Sequence, residues 1–196
     1  MFRKPCLAIV TALMLLCAFN NISAQVQHAS VTDVTPALLD WTKHLNSAAD
    51  KYVTKEKAEE LGQHLELLRQ DLTSYMKARK RLSDSLFRNN IAPGKKDPAS
   101  LQMLKEKMST VMQRMRDVTD LTNDELRTEG DKLNDKIYHI LYEEEGRYPS
   151  NLEAFLDGFD VTKKDMALDA SMCYQRLEDC VNLISSLLDK VNRYRK

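Results

Sequence analysis

Glycine and proline are scarce in this chain of 196 residues, which contains only five of each. Many-stranded sandwiches and barrels depend on these residues for their turns, and nucleotide-binding βαβ folds need glycine-rich turns. The sequence therefore favours none of these folds. Basic and acidic side chains are equally numerous, with 29 of each, so the overall charge gives no indication of a nucleic-acid-binding protein.

The sequence signatures of catalysis and metal binding are also missing. The chain contains no Gly-x-Ser-x-Gly elbow, no phosphate-binding loop and no paired Cys and His residues at the spacing of a zinc site. Three of its four His residues follow a carboxylate at a spacing of four, which is typical of surface ion pairs on a helix. We therefore expect a protein that is not an enzyme, has no catalytic residues and needs no cofactor.

The first 24 residues have the three parts of a secretory signal peptide. Arg3 and Lys4 supply the positive start, residues 6–19 form an almost uninterrupted apolar run, and Ala24 is a small residue at the expected cleavage position. The apolar run is shorter than the roughly 20 residues that a membrane-spanning helix needs. The sequence predicts cleavage and export, to the periplasm or to the outside of the cell. A retained N-terminal anchor is the alternative.

Two of the four cysteines, Cys173 and Cys180, remain after this cleavage. They lie seven residues apart in a strongly helical stretch, about 10.5 Å along the helix axis. This separation is too large for a disulfide between them. Two hypotheses stay open: both are small buried side chains, or they form disulfides between two copies of the chain, which an oxidising compartment permits.

Apolar residues recur at alternating steps of three and four along most of the chain after residue 35. This is the period of amphipathic helices that pack together through coiled-coil-like seams. We expect residues 25–35 to be a flexible lead-in and residues 36–196 to form a single all-α domain, a bundle of four to five long helices. The second and third helices have narrower apolar stripes than the last, so they could project from the bundle as a hairpin.

Helix-start residues divide this domain. Thr35 before Pro36 and Asp97 before Pro98 predict N-caps followed by a first-turn proline, and Thr162 predicts the cap of the last helix. A first helix to about residue 53, a loop at residues 89–97 and a short helix at residues 152–156 are also expected.

The second and third helices have two further features. The second helix begins near Ala58, and Arg79 fills the one polar position of its apolar seam. Residues 98–145 form either one helix with a stutter or two helices, the second of them introduced by a capping box of Thr122 and Glu125.

Charge is segregated along the chain. Residues 77–116 contain eleven basic and three acidic side chains, and residues 117–160 contain thirteen acidic and four basic ones. The basic side chains cluster around the predicted hairpin, where they could bind an anionic partner or an anionic membrane surface, or could simply keep the hairpin soluble. The candidate partner-binding residues are Lys77, Arg79, Lys80, Arg81, Arg88, Lys95 and Lys96. We expect the protein to bind another protein, as a chaperone, an accessory subunit of a transport or secretion assembly, or an inhibitor.

Methionines on the third helix suggest an alternative function. Met108, Met112 and Met115 follow each other at steps of four and three, so their thioethers share one helix face. Soft thioether ligands at that spacing could hold Cu(I). Clustered methionines are also typical of adaptable packing, which we favour over a metal site.

Overall fold

Seven α-helices account for most of residues 29–195, the part of the chain that this computed structural model describes. They are α1 (Thr35–Ser47), α2 (Ala49–Tyr52), α3 (Ala58–Arg88), α4 (Pro98–Thr119), α5 (Asp124–Tyr138), α6 (Asn151–Leu156) and α7 (Lys163–Tyr194). A π-helical turn, His139–Glu143, follows α5, and two short strands are β1 (Ser30–Val31) and β2 (Arg147–Tyr148). The predicted all-α bundle is confirmed. The predicted signal peptide lies outside the described residues.

The two longest helices, α3 and α7, run antiparallel along their whole length. At one end Lys163, the first residue of α7, donates a hydrogen bond to the side chain of Asn90, just after α3. At the other end Arg195 Nη2 lies 2.5 Å from Glu59 Oε2 in the first turn of α3. Within residues 29–195, no helix combines the length and apolar character that crossing a membrane requires.

The expectation that the second and third helices could project as a hairpin is wrong, because α7 covers α3 from end to end. The apolar stripe of α3 is narrow because part of the buried face of this helix is polar. Two polar side chains, Arg79 and Ser83, are buried on the same side of the helix as its leucines. The buried face of α3 is therefore wider than its hydrophobic residues alone indicate.

Within the described residues, side-chain caps begin four of the helices, α4, α5, α6 and α7. Asp97 accepts a hydrogen bond from Ser100 N at 3.1 Å at the start of α4, and Thr162 accepts one from Asp165 N at 3.1 Å at the start of α7. Both predicted caps are confirmed. Residues 98–145 contain two helices, but the cap of the second is Asn123, which accepts a hydrogen bond from Leu126 N at 3.0 Å. Thr122 instead donates to the carbonyl of Thr119.

Residues 29–35 are not the flexible lead-in that the sequence suggested. Strand β1 pairs in parallel with β2, with Ser30 N donating to Gly146 O at 3.1 Å and Thr32 N donating to Tyr148 O at 2.8 Å. Val34 is buried, and Asp33 accepts a hydrogen bond from Thr35 N at 2.8 Å, so Asp33 stabilises the start of α1 in place of the predicted Thr35 cap. A strand of two residues has no periodicity, and its partner lies far along the chain.

Gly130 allows α5 to approach α4 closely. A Cβ atom at this position would lie 2.3 Å from Thr119 Cγ2 and 3.3 Å from Trp41 Nε1. Contacts this short cannot be tolerated without movement of one helix or of the threonine. The glycine therefore fixes the distance between the two helices, although it lies in a helix interior, where glycine is unfavourable.

We expect Gly130→Ala to lower the free energy of unfolding by about 1–3 kcal/mol, as overpacked core positions do. Helix propensity alone predicts the opposite sign, a gain of about 0.5–1 kcal/mol. Urea denaturation measures the difference. Thr119→Ser removes Cγ2 and keeps the hydroxyl that donates to Arg116 O. Combining it with Gly130→Ala should therefore restore most of the lost free energy of unfolding. A stable single variant would show that the helices are farther apart than described.

Candidate binding groove

A groove of about 610 Å³ runs between α3 and α4, and it contains two of the predicted basic residues. Lys77 and Arg81 of α3 form one rim, and Lys107 of α4 lies on the opposite wall. Its floor includes the half-buried apolar side chains of Ala78, Leu82 and Met103. The other lining residues are Gln70, Thr73, Ser74 and Ser85. We call this set of residues the basic groove.

The cations of the basic groove lack acidic partners. Within residues 29–195, Lys77, Arg81 and Lys107 form no ion pair at 4.0 Å or less. The carboxylate nearest in sequence to Arg81, that of Asp84, instead lies 2.8 Å from the amino group of Lys80. Lys107 Nζ donates to the hydroxyl of Ser74 at 2.9 Å. Since no carboxylate lines the groove, its positive potential is available to an anionic group that enters it.

The structure does not bring the seven predicted partner-binding residues together. Lys80 faces α7, with its amino group 5.8 Å from the ring centre of Tyr174. The exposed Arg88, Lys95 and Lys96 lie at the end of α3 and in the loop that follows, where Lys96 approaches Asp157 at 3.9 Å. Only Lys77 and Arg81 belong to the basic groove.

Arg79 is not a surface residue, and its assignment to the partner-binding set is wrong. Its side chain is 5% exposed, with Nη1 donating to Glu153 Oε1 at 2.7 Å and to the Tyr75 hydroxyl at 2.8 Å. Nη2 donates to the Ser150 hydroxyl at 2.7 Å. Burial lowers the pKa of the Arg79 guanidinium, but the charge of Glu153 and the interactions with Tyr75 and Cys173 together outweigh this and hold the pKa well above its usual range. Arg79 therefore anchors α6 to α3.

Of the ten residues that line the basic groove, the sequence predicted only Lys77 and Arg81 as binding residues. The other eight include Met103 and Lys107. Both lie on α4, four residues apart, and meet α3 only because the two helices pack side by side. Lys107 was part of the basic segment in the sequence, which is the one signal that could have indicated it. The register between the two helices is not visible in that pattern.

The thioethers of the three methionines on α4 are not accessible to a metal ion in solvent. Met108, Met112 and Met115 are all buried and belong to the hydrophobic core. Their spacing therefore reflects the inner face of α4. The packing interpretation is confirmed, and the copper hypothesis loses the accessible thioether face that it needs.

One other group of side chains within residues 29–195 brings metal-ligand types together. One ligand atom each from Asp33, Asp169 and Cys173 lies within 4.8 Å of the others. Arg176 pairs with Asp33, and the backbone N–H of Asn151 donates to Asp169 at 2.9 Å. Arg176 already neutralises negative charge in this cluster. The cluster therefore attaches the segment that precedes α1 to α7.

Both described cysteines are free and buried, Cys173 at 1% and Cys180 at 0% exposure. Burial raises the pKa of each thiol to about 12. The hypothesis of small buried side chains is confirmed. A disulfide between copies does not fit this structure, because both thiols are buried inside one copy of the chain.

Comparisons with known proteins give no further guidance on this site. No protein-family model matches the chain, and no curated protein or solved structure is significantly similar to it.

Removing one partner of the Arg79–Glu153 pair should strongly destabilise the protein. We expect Arg79→Met to lower the free energy of unfolding by about 3–5 kcal/mol, because it leaves the Glu153 carboxylate buried without a cation. The double variant Arg79→Met/Glu153→Leu should recover part of this loss. Guanidinium chloride denaturation of the wild type, Arg79→Met, Glu153→Leu and the double variant gives the coupling energy. A coupling near zero would mean that the pair is hydrated.

The thiols should be unreactive in the folded protein. At about pH 8 we expect a thiol-reactive dye to label neither Cys173 nor Cys180, since both are buried and protonated. Addition of denaturant should make both available, and non-reducing electrophoresis should show no covalent dimer. If the dye labelled the folded protein as fast as the denatured protein, this would contradict the burial of the two thiols on α7.

Proposed function

We propose that this protein is exported, is not an enzyme, and binds another protein through the basic groove between α3 and α4. The observation that carries the proposal is the grouping of three cations without acidic partners, Lys77, Arg81 and Lys107, around a half-buried apolar floor. A chaperone, an accessory subunit of a transport or secretion assembly and an inhibitor are the roles that this binding could serve.

An apolar floor with a charged rim has the composition of a protein interface. Apolar contacts at the centre supply most of the affinity, and charges at the edge steer the partner and fix its orientation. Surface cations that only keep a protein soluble need no such floor. The pairing of Lys80 with Asp84 shows the usual arrangement on the neighbouring face of the same helix.

The lining of the groove supports binding more than catalysis. It offers the hydroxyls of Thr73, Ser74 and Ser85, but no imidazole or carboxylate that could activate them as nucleophiles. Export rests on the N-terminal sequence, Arg3 and Lys4 followed by the apolar run and Ala24.

Association with anionic lipid is a second candidate function. Arg88, Lys95 and Lys96 are exposed together at one end of the bundle, where they could meet a membrane surface. This end is separate from the apolar floor, so binding there would depend on charge alone.

The protein-binding proposal is tested by cross-linked affinity capture from the native envelope or secreted fraction, with partners identified by mass spectrometry. The bait is the predicted mature chain. We expect one dominant partner that is lost with Lys77→Glu/Arg81→Glu, because the reversed charges repel the surface that the native groove attracts.

The matched control is Lys132→Glu/Lys136→Glu. These two residues are exposed and also four residues apart, but they lie on α5. The control variant should keep the partner, and both variants should keep wild-type stability within about 0.5 kcal/mol. Retention of the partner by the groove variant would exclude the groove as its site. Capture of many unfolded clients would favour a chaperone, and binding only to anionic vesicles would favour the lipid function.

A further inference from the structure

Two rows of side chains on α3 give the basic groove its shape. Within each row the residues are four apart, so each row is a ridge of the helix surface. The inner row consists of Gln70, Ser74, Ala78 and Leu82, and the outer row consists of Thr73, Lys77, Arg81 and Ser85. The furrow between the outer row and α4, with Ala78 and Leu82 of the inner row on its floor, is the shape that receives a ridge of another helix.

The length of the furrow also suits a helix. From Gln70 to Ser85 the furrow extends about 22 Å along α3, the length of four helical turns. A helix of about 15 residues could lie along it. A flat bilayer would instead touch the most protruding side chains and leave the floor formed by Ala78, Leu82 and Met103 unused.

The positions of the cations specify the chemistry of that helix. Lys77 and Arg81 are one turn apart, about 6 Å along the axis, so they match two carboxylates at a spacing of four on a neighbouring helix. Lys107 extends from α4 to the hydroxyl of Ser74, where its amino group can meet a further acidic side chain of the bound helix. Between these charges, the floor requires a row of small or medium apolar side chains.

We infer that the basic groove binds one amphipathic helix of a partner protein, in which an apolar row is flanked by Glu or Asp residues at a spacing of four. The inference rests on the proposed function and specifies the partner's binding segment. The bound helix would pack on α3 and α4 as an added member of the bundle. The floor supplies contact area, and the three cations select acidic helices over basic ones.

A designed peptide tests the inference directly. The probe is a peptide of about 16 residues made of Leu, Ala and Glu, with one apolar row flanked by Glu pairs, and its helicity is checked by circular dichroism. Its control has the same composition, but the Leu residues are distributed around the helix. Fluorescence anisotropy with the predicted mature chain should show saturable binding of the probe and binding weaker by about tenfold for the control peptide.

Variants of the groove separate charge from shape. Lys77→Glu/Arg81→Glu should weaken probe binding by about tenfold or more, and about 0.5 M salt should weaken it as well. Leu82→Gln leaves the charge unchanged and should also reduce binding by several fold, with Met103→Gln as a second floor variant should the first prove unstable. The control Lys132→Glu/Lys136→Glu should bind as the wild type does.

The outcomes distinguish this inference from the proposed function. Equal binding of the two peptides, or floor variants without effect, would overturn it, since charge alone would then suffice. If the Lys77→Glu/Arg81→Glu variant loses a natural partner but no acidic helix binds the wild type, the helix inference is overturned and the proposed function stands. If neither the peptide nor any partner depends on these two residues, both fail. Binding to anionic vesicles that requires Lys77 and Arg81 would replace the helix with a lipid surface.

Discussion

The ion pair between Arg79 and Glu153 sets the orientation of α3, on which the basic groove depends. Successive residues of an α-helix are rotated by about 100°, so residues two positions away from Arg79 lie on the opposite side of the helix. Those residues are Lys77 and Arg81. Because the Arg79 side chain is held inside by three hydrogen bonds, these two cations are directed outward. Basic residues only two positions apart therefore have different roles. Arg79 joins α3 to α6, whereas Lys77 and Arg81 line the basic groove.

A buried ion pair is an expensive way to hold two helices together, because both charges lose their hydration. Here the loss is offset by three hydrogen bonds: the guanidinium donates to Glu153, Tyr75 and Ser150 at 2.7–2.8 Å. Such a network is satisfied in only one register and rotation of α3 against α6, whereas leucine contacts tolerate several. It thus contributes specificity of arrangement as well as stability, and the antiparallel contact with α7 extends that arrangement along all of α3.

The two charged segments of the sequence form different elements of the fold, although Arg79 pairs with Glu153 and Lys96 approaches Asp157 between them. The basic segment supplies the C-terminal part of α3, the following loop and most of α4, and the acidic segment supplies α5, the π-helical turn and the region around α6. A near-neutral chain consequently has an uneven field, which would orient an acidic partner before contact. The apolar floor of the groove would then determine whether the encounter lasts.

The sequence by itself determined the helices and many of their boundaries, because periodicity and caps are local properties of the chain. It offered the burial of Cys173 and Cys180 as one of two hypotheses. It also located the basic segment and marked Arg79 as the one polar seam position. Only the tertiary structure decided what covers each face. Arg79 is buried because Glu153 reaches it from α6, β1 is ordered because β2 pairs with it, and Met103 and Lys107 complete the basic groove because α4 packs in one register. A one-dimensional pattern shows that a face is apolar or charged, but the partner of that face comes from residues far away in the chain.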